Sequence, residues 1–152
     1  MEIPLANEAA TEALGARIAG GLAPGDAVLL SGELGAGKSV LARAILRSLG
    51  VNEHVPSPTF TLAQAYETDR LMLHHFDLYR IERTRDLDEL GIEDALDEGA
   101  ILVEWPERAP GLFPAESLNI TLETTSESAR RAHITAPKRW QDILAPQRMI
   151  LK

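Results

Sequence analysis

The segment Gly32-Glu33-Leu34-Gly35-Ala36-Gly37-Lys38-Ser39 fits the pattern G-x-x-x-x-G-K-S/T and constrains the fold more than any other stretch of the chain. Each fixed position has a physical job. The glycines permit backbone geometry that turns several N–H groups toward one anion. A helix starting at Ser39 aims the positive end of its dipole at the same point. Lys38 can then reach the β- and γ-phosphates of a nucleotide, and the Ser39 hydroxyl can hold Mg²⁺. A chance match of the four fixed positions is expected on the order of once in a few hundred chains of this length. The motif also needs a strand before it and a helix after it, and the sequence supplies both.

Ala27-Val28-Leu29-Leu30 is the short apolar run of a strand buried on both faces. Ser39 to Leu49 has helical spacing, with Val40, Leu41, Ala44, Ile45 and Leu49 inward and Gly50 as a stop. Upstream, Asn7 to Gly21 reads as a helix, capped by Asn7 or Thr11, with Leu5, Ala9, Leu14, Ile18 and Leu22 near one face. Downstream, Thr59 to Tyr66 and Leu71 to Leu78 read as strands about the turn Thr68-Asp69-Arg70. An acidic amphipathic helix is expected over Asp86 to Leu96 and a buried strand over Ala100 to Val103. Leu118 to Glu123 and Ala132 to Thr135 alternate as a hairpin, and a short helix covers Trp140 to Leu144. Alternating strands and helices predict an α/β fold: a three-layer P-loop NTPase with a mostly parallel central sheet and a C-terminal antiparallel hairpin.

With 152 residues, the chain is expected to form a single domain over 1–152. Its net charge of −8 argues against a chain that grips nucleic acid by itself. The absence of cysteine removes disulfide scaffolds, cysteine zinc sites and thiol catalysis. No apolar stretch is long enough to cross a membrane, so a cytoplasmic protein is expected.

A phosphate loop needs a second carboxylate for the metal and a group to place the nucleophile. Asp77 and Glu104 both end apolar runs, and either suits the metal. Thr59, on the stiff segment Pro56-Ser57-Pro58-Thr59-Phe60, reads by spacing alone first as a strand-end turn hydroxyl; the alternative is a residue that contacts Mg²⁺ or the γ-phosphate and senses nucleotide state. Asp88-Glu89-Leu90-Gly91 matches D-x-x-G but falls within the acidic helical pattern, and no N-K-x-D segment reads guanine. His74 and His75 are strand neighbours, point to opposite faces and cannot share a metal.

GELGAGKS, PSPTFTL, HHFDLYRI, DELGIEDAL and ILVEWPE occur in the order and spacing of the TsaE (YjeE) family, which the chain resembles over roughly residues 3 to 135. The family comprises small bacterial P-loop ATPases required for threonylcarbamoyladenosine formation on tRNA. The resemblance implies ATP/ADP and Mg²⁺ as ligands, with Ser39 and Glu104 holding the metal and Asp77 acting in catalysis. It implies a switch-like loop at Thr59 and nucleotide contacts from Gly32 to Val40, that is Gly32, Glu33, Leu34, Gly35, Ala36, Gly37, Lys38, Ser39 and Val40. Asn7 and Thr11 are expected near the adenine and Arg130 near the nucleotide, and Trp105, which travels with these motifs, is counted among the nucleotide-binding residues. TsaD and TsaB are the implied partners, with tRNA met only through their complex. On this view Lys38, the backbone amides and Mg²⁺ stabilise charge as water attacks the γ-phosphate, with Asp77 orienting water or coupling it to Thr59. The alternatives are a small-molecule kinase, with Arg80, Arg83 or Arg85 in a lid, and a nucleotide-sensing module without turnover.

Overall fold

The computed structural model describes residues 1–51, 63–81 and 90–145. A single seven-stranded sheet runs through it: β1 (Glu2–Leu5), β2 (Ala27–Gly32), β3 (Ala63–Glu67), β4 (Met72–Asp77), β5 (Ala100–Glu104), β6 (Leu118–Thr124) and β7 (Arg130–Thr135). The spatial order is β1-β7-β6-β2-β5-β4-β3. The central strands β6, β2, β5 and β4 are mutually parallel, and β7, β1 and β3 join antiparallel at the two edges. The expected hairpin is β6–β7, with Ile120 opposite Ile134. The burial of β2 and β5 follows from their runs: with helices on both faces, neither strand has a polar side, and every residue of β5 is buried.

Helices α1 (Glu8–Gly21), α2 (Lys38–Ser48) and α4 (Lys138–Leu144) share one core with the sheet, and α3 (Ile92–Glu98) shares the other. The sheet lies between two apolar clusters: one around Leu14, Ile18, Leu41, Ile45 and Trp140, the other around Phe76, Leu78, Ile92 and Val103. The layering and the parallel centre match the expected architecture. The close packing of α1 on α2 depends on Gly15, where a Cβ would come 2.6 Å from the Ala44 Cβ. Arg70, from the β3–β4 turn, donates to the carbonyls of Ala19 and Leu22, and so closes the C-terminal end of α1.

Several boundaries differ from expectation. Strand β1 precedes Asn7, where no element is expected. Its Pro4 is tolerated because β1 is an edge strand that pairs only with β7. Ala9 is exposed and Thr11 takes the inward place on α1. Val40 is half-buried and does not join the core. Helix α3 starts at Ile92, because Gly91 adopts φ +69° and caps it; Leu90-Gly91 therefore stands before the helix, not within it. Asp88 and Glu89 lie outside the described residues, as do Thr59, Arg83 and Arg85. No helix among the described residues is long and apolar enough to cross a membrane.

Candidate functional site

Strand β2 delivers the chain to the loop from the centre of the sheet. At Gly32 φ is +138°, and a Cβ there would stand 2.5 Å from the Leu122 carbonyl oxygen, so the strand-to-loop bend requires glycine. The Ala36 N–H donates to the Glu33 carbonyl at 3.0 Å and closes the turn. Gly37, at φ +102°, caps α2 with no side-chain acceptor, so the first N–H groups of α2 are left for an anion. The side chains of Glu33 and Leu34 are exposed.

The Lys38 side chain lies inward at the start of α2, and the residue is 5 % exposed. Its Nζ donates to the Gly32 carbonyl and, at 2.9 Å, to the Glu33 carbonyl. Burial pushes its pKa down, while the carboxylates of Glu104, Glu107, Asp77 and Glu33 pull it back up.

The parallel register of β4 and β5 sets Asp77 opposite Glu104, and β2 sets Leu30 on the other side of Glu104. Both acids therefore stand at the end of the sheet where the phosphate loop begins. Glu104 is 2 % exposed. Its Oε2 accepts from His75 Nε2 at 2.7 Å, and its Oε1 accepts from Ser39 Oγ at 3.3 Å. Asp77 is half-buried, and its Oδ1 accepts from the Tyr79 N–H at 3.1 Å. Burial raises the Asp77 pKa, and the Glu104 charge adds to this; the Tyr79 N–H, His75 and Lys38 oppose it.

Ser39 and Glu104 together offer a hydroxyl and a carboxylate, the hard oxygen donors that suit Mg²⁺. Among the described residues no three His, Cys, Asp or Glu side chains converge as a metal cage. A magnesium ion held beside a nucleotide would need none, since Mg²⁺ at such sites draws its other oxygens from phosphates and water. His75 is the residue that sequence reasoning missed here. The sequence shows it only as a strand histidine, and its tie to Glu104 depends on the pairing of β4 with β5.

Beside the phosphate loop a cleft of about 290 Å³ opens between α1, α2 and the β6–β7 turn. Asn7, Thr11, Gly37, Val40 and Arg130, all expected at the nucleotide, line it. Glu8, Glu127 and Ser128 complete its wall, and no motif in the sequence pointed to them. Asn7 is fixed because its Oδ1 caps α1 by accepting from the Ala10 N–H at 2.9 Å. Arg130 donates to the carbonyls of Ser126, Ala129 and Gly35, tying the hairpin turn to the phosphate loop. Trp105 does not line this cleft. It sits by the Lys38 ammonium, at the phosphate end of the site.

The sequence profile described as "Threonylcarbamoyl adenosine biosynthesis protein TsaE" matches residues 5–132. A tRNA threonylcarbamoyladenosine biosynthesis protein TsaE of Rickettsia felis is 40% identical over 131 residues, which cover 86% of this chain and 77% of that protein. The TsaE protein of Bacillus subtilis is 34% identical over 131 residues, covering 86% and 82%. The crystal structure of B. subtilis YdiB superposes with a TM-score of 0.79 at 28% identity, covering 94% of this chain and 90% of that one. The chain belongs to the TsaE family of threonylcarbamoyl adenosine biosynthesis proteins.

Proposed function

We propose that this protein is a Mg²⁺-dependent ATPase of low intrinsic rate that serves threonylcarbamoyladenosine modification of tRNA in the cytoplasm, acting on a TsaD–TsaB-type complex to permit repeated turnover. The observation that carries the proposal is the convergence of Lys38, Ser39, Glu104 and Asp77 on one phosphate loop, with a nucleoside-sized cleft beside it. The loop amides and the start of α2 bind the phosphate chain of ATP. Lys38 neutralises charge that builds on the transferred group. Ser39 and Glu104 hold Mg²⁺, which when bound screens the phosphate charge. Asp77 orients water at the γ-phosphate, and Thr59, which lies outside the described residues, keeps the switch role that the family resemblance implies. The cleft takes adenosine, with Asn7, Thr11, Val40 and Arg130 about it. A net charge of −8 suits a protein that works on protein partners and leaves tRNA contact to them.

The test is a reconstituted tRNA threonylcarbamoylation assay with TsaD, TsaB and the other pathway components. A first round of product independent of this protein, followed by multiple rounds that require it, ATP and Lys38, is the expected result. No dependence in either regime would overturn the proposal.

A further inference from the structure

Trp105 is the only non-glycine residue at positive φ among the described residues, at φ 61° and ψ 49°. A non-glycine residue held in the left-handed region costs on the order of 1–3 kcal/mol and persists only where its surroundings fix it. Here they do. The Trp105 N–H donates to the Leu30 carbonyl at 3.1 Å, and Pro106 begins the 3₁₀ turn Pro106–Arg108 immediately after it. Tyr79 packs on the indole with ring centroids 4.8 Å apart, and Arg108 stacks 5.7 Å over the Tyr79 ring. The effect of this bracing is local: it sets the indole face 4.2 Å from the Lys38 Nζ.

The Lys38 head group needs such a neighbour. It is buried, and beyond the Gly32 and Glu33 carbonyls its electrostatic support comes from carboxylates at longer range. An aromatic face stabilises a desolvated ammonium without competing with phosphate for its N–H donors. A carboxylate in the same place would compete for them and repel the phosphate. We infer that Trp105 is a positioning residue for Lys38: its indole face, with the Gly32 and Glu33 carbonyls, forms a cradle that holds the ammonium at the phosphate loop. Trp105 thus acts on the phosphate end of the site through lysine and makes no contact with the base. This inference rests on the proposed nucleotide site.

The test uses the intact protein with Mg-ATP and with inorganic tripolyphosphate, which has no base. Binding is measured by calorimetry for wild type, Trp105→Phe and Trp105→Leu. Phe keeps an aromatic face and should bind both ligands within about three-fold of wild type; Leu should lose up to about thirty-fold for both alike, the size of a desolvated cation–π contact. Trp105 emission, taken as the difference between wild type and Trp105→Phe, should shift when tripolyphosphate binds. In a Lys38→Met background the same difference spectrum should already be shifted and should no longer respond. Leu binding as well as Phe, a loss confined to ATP, or an emission unmoved by Lys38→Met would overturn the inference. Wild type that binds neither ligand would instead sink the nucleotide site itself.

Discussion

Removing the Glu104 side chain separates its structural work from its metal work. The carboxylate is 2 % exposed and makes two hydrogen bonds, to His75 at 2.7 Å and Ser39 at 3.3 Å. An ionised carboxylate only accepts, so His75 Nε2 carries the proton between them. Glu104→Ala leaves that buried N–H without an acceptor. A hydrogen bond to a charged group is worth about 1.5–3 kcal/mol, and the orphaned donor adds its own desolvation cost. The Ser39 bond is longer, and Ser39 is half-buried, so little is added there. A net loss of about 3 kcal/mol is expected, which for a domain of this size lowers Tm by roughly 6–12 °C. Glu104→Gln keeps a side-chain oxygen facing His75 and should lose about 1 kcal/mol.

The two variants must then part from each other in stability but not in metal dependence. Both replace the anionic oxygen that Mg²⁺ requires, so both should weaken nucleotide binding in Mg²⁺ by about ten-fold or more. Binding in EDTA should be much less affected, with Gln close to wild type. Thermal unfolding and calorimetry with and without Mg²⁺ read the two effects separately. Equal losses with and without Mg²⁺ would refute the assignment of Glu104 as the ligand and move it to Asp77, the residue opposite in the sheet. A Tm drop of under about 2 °C for Ala would refute the account of the His75 bond.

Three further outcomes are expected. Asp77→Asn should raise Tm at pH 7, because burial raises the Asp77 pKa in the folded state and its charge therefore opposes folding. The stability of the neutral form is fully present below the ordinary carboxylate value of 3.8 and is lost as pH rises through the higher folded value, so the gain should vanish near pH 3; a constant gain across pH would contradict this. Gly15→Ala should destabilise by about 1–3 kcal/mol in chemical denaturation, because α1 and α2 must separate around Ala44, and Ala44→Gly should restore part of the loss. Arg130→Ala should weaken ATP binding several-fold in calorimetry by releasing the hairpin turn from Gly35, and retained affinity would remove Arg130 from the site.

What was legible in the sequence was what is local. The phosphate loop is eight consecutive residues whose geometry depends on their own backbone, so Gly32 to Ser39 announce it, and the apolar runs of β2 and β5 announce a buried parallel centre. The choice between Asp77 and Glu104 was not local. Each ends a strand; only the register of β4 on β5 makes them opposite neighbours, and only the pairing of β2 with β5 brings Ser39 to Glu104. His75 was hidden for the same reason. Alternation along β4 shows that it and His74 face opposite ways, but its partner is 29 residues away on β5. Strand β1 was missed because Glu2-Ile3-Pro4-Leu5 has a weak local strand signal, with a proline inside; its pairing to β7 supplies what the sequence of β1 lacks. Trp105 illustrates a third kind of concealment. Its residue type and its place after Glu104 were visible, but its left-handed backbone was not, and that backbone sets the indole beside the lysine. A φ in the usual negative range would send the side chain elsewhere, so the approach of the indole to Lys38 follows from one backbone angle that Leu30, Pro106 and Tyr79 jointly hold.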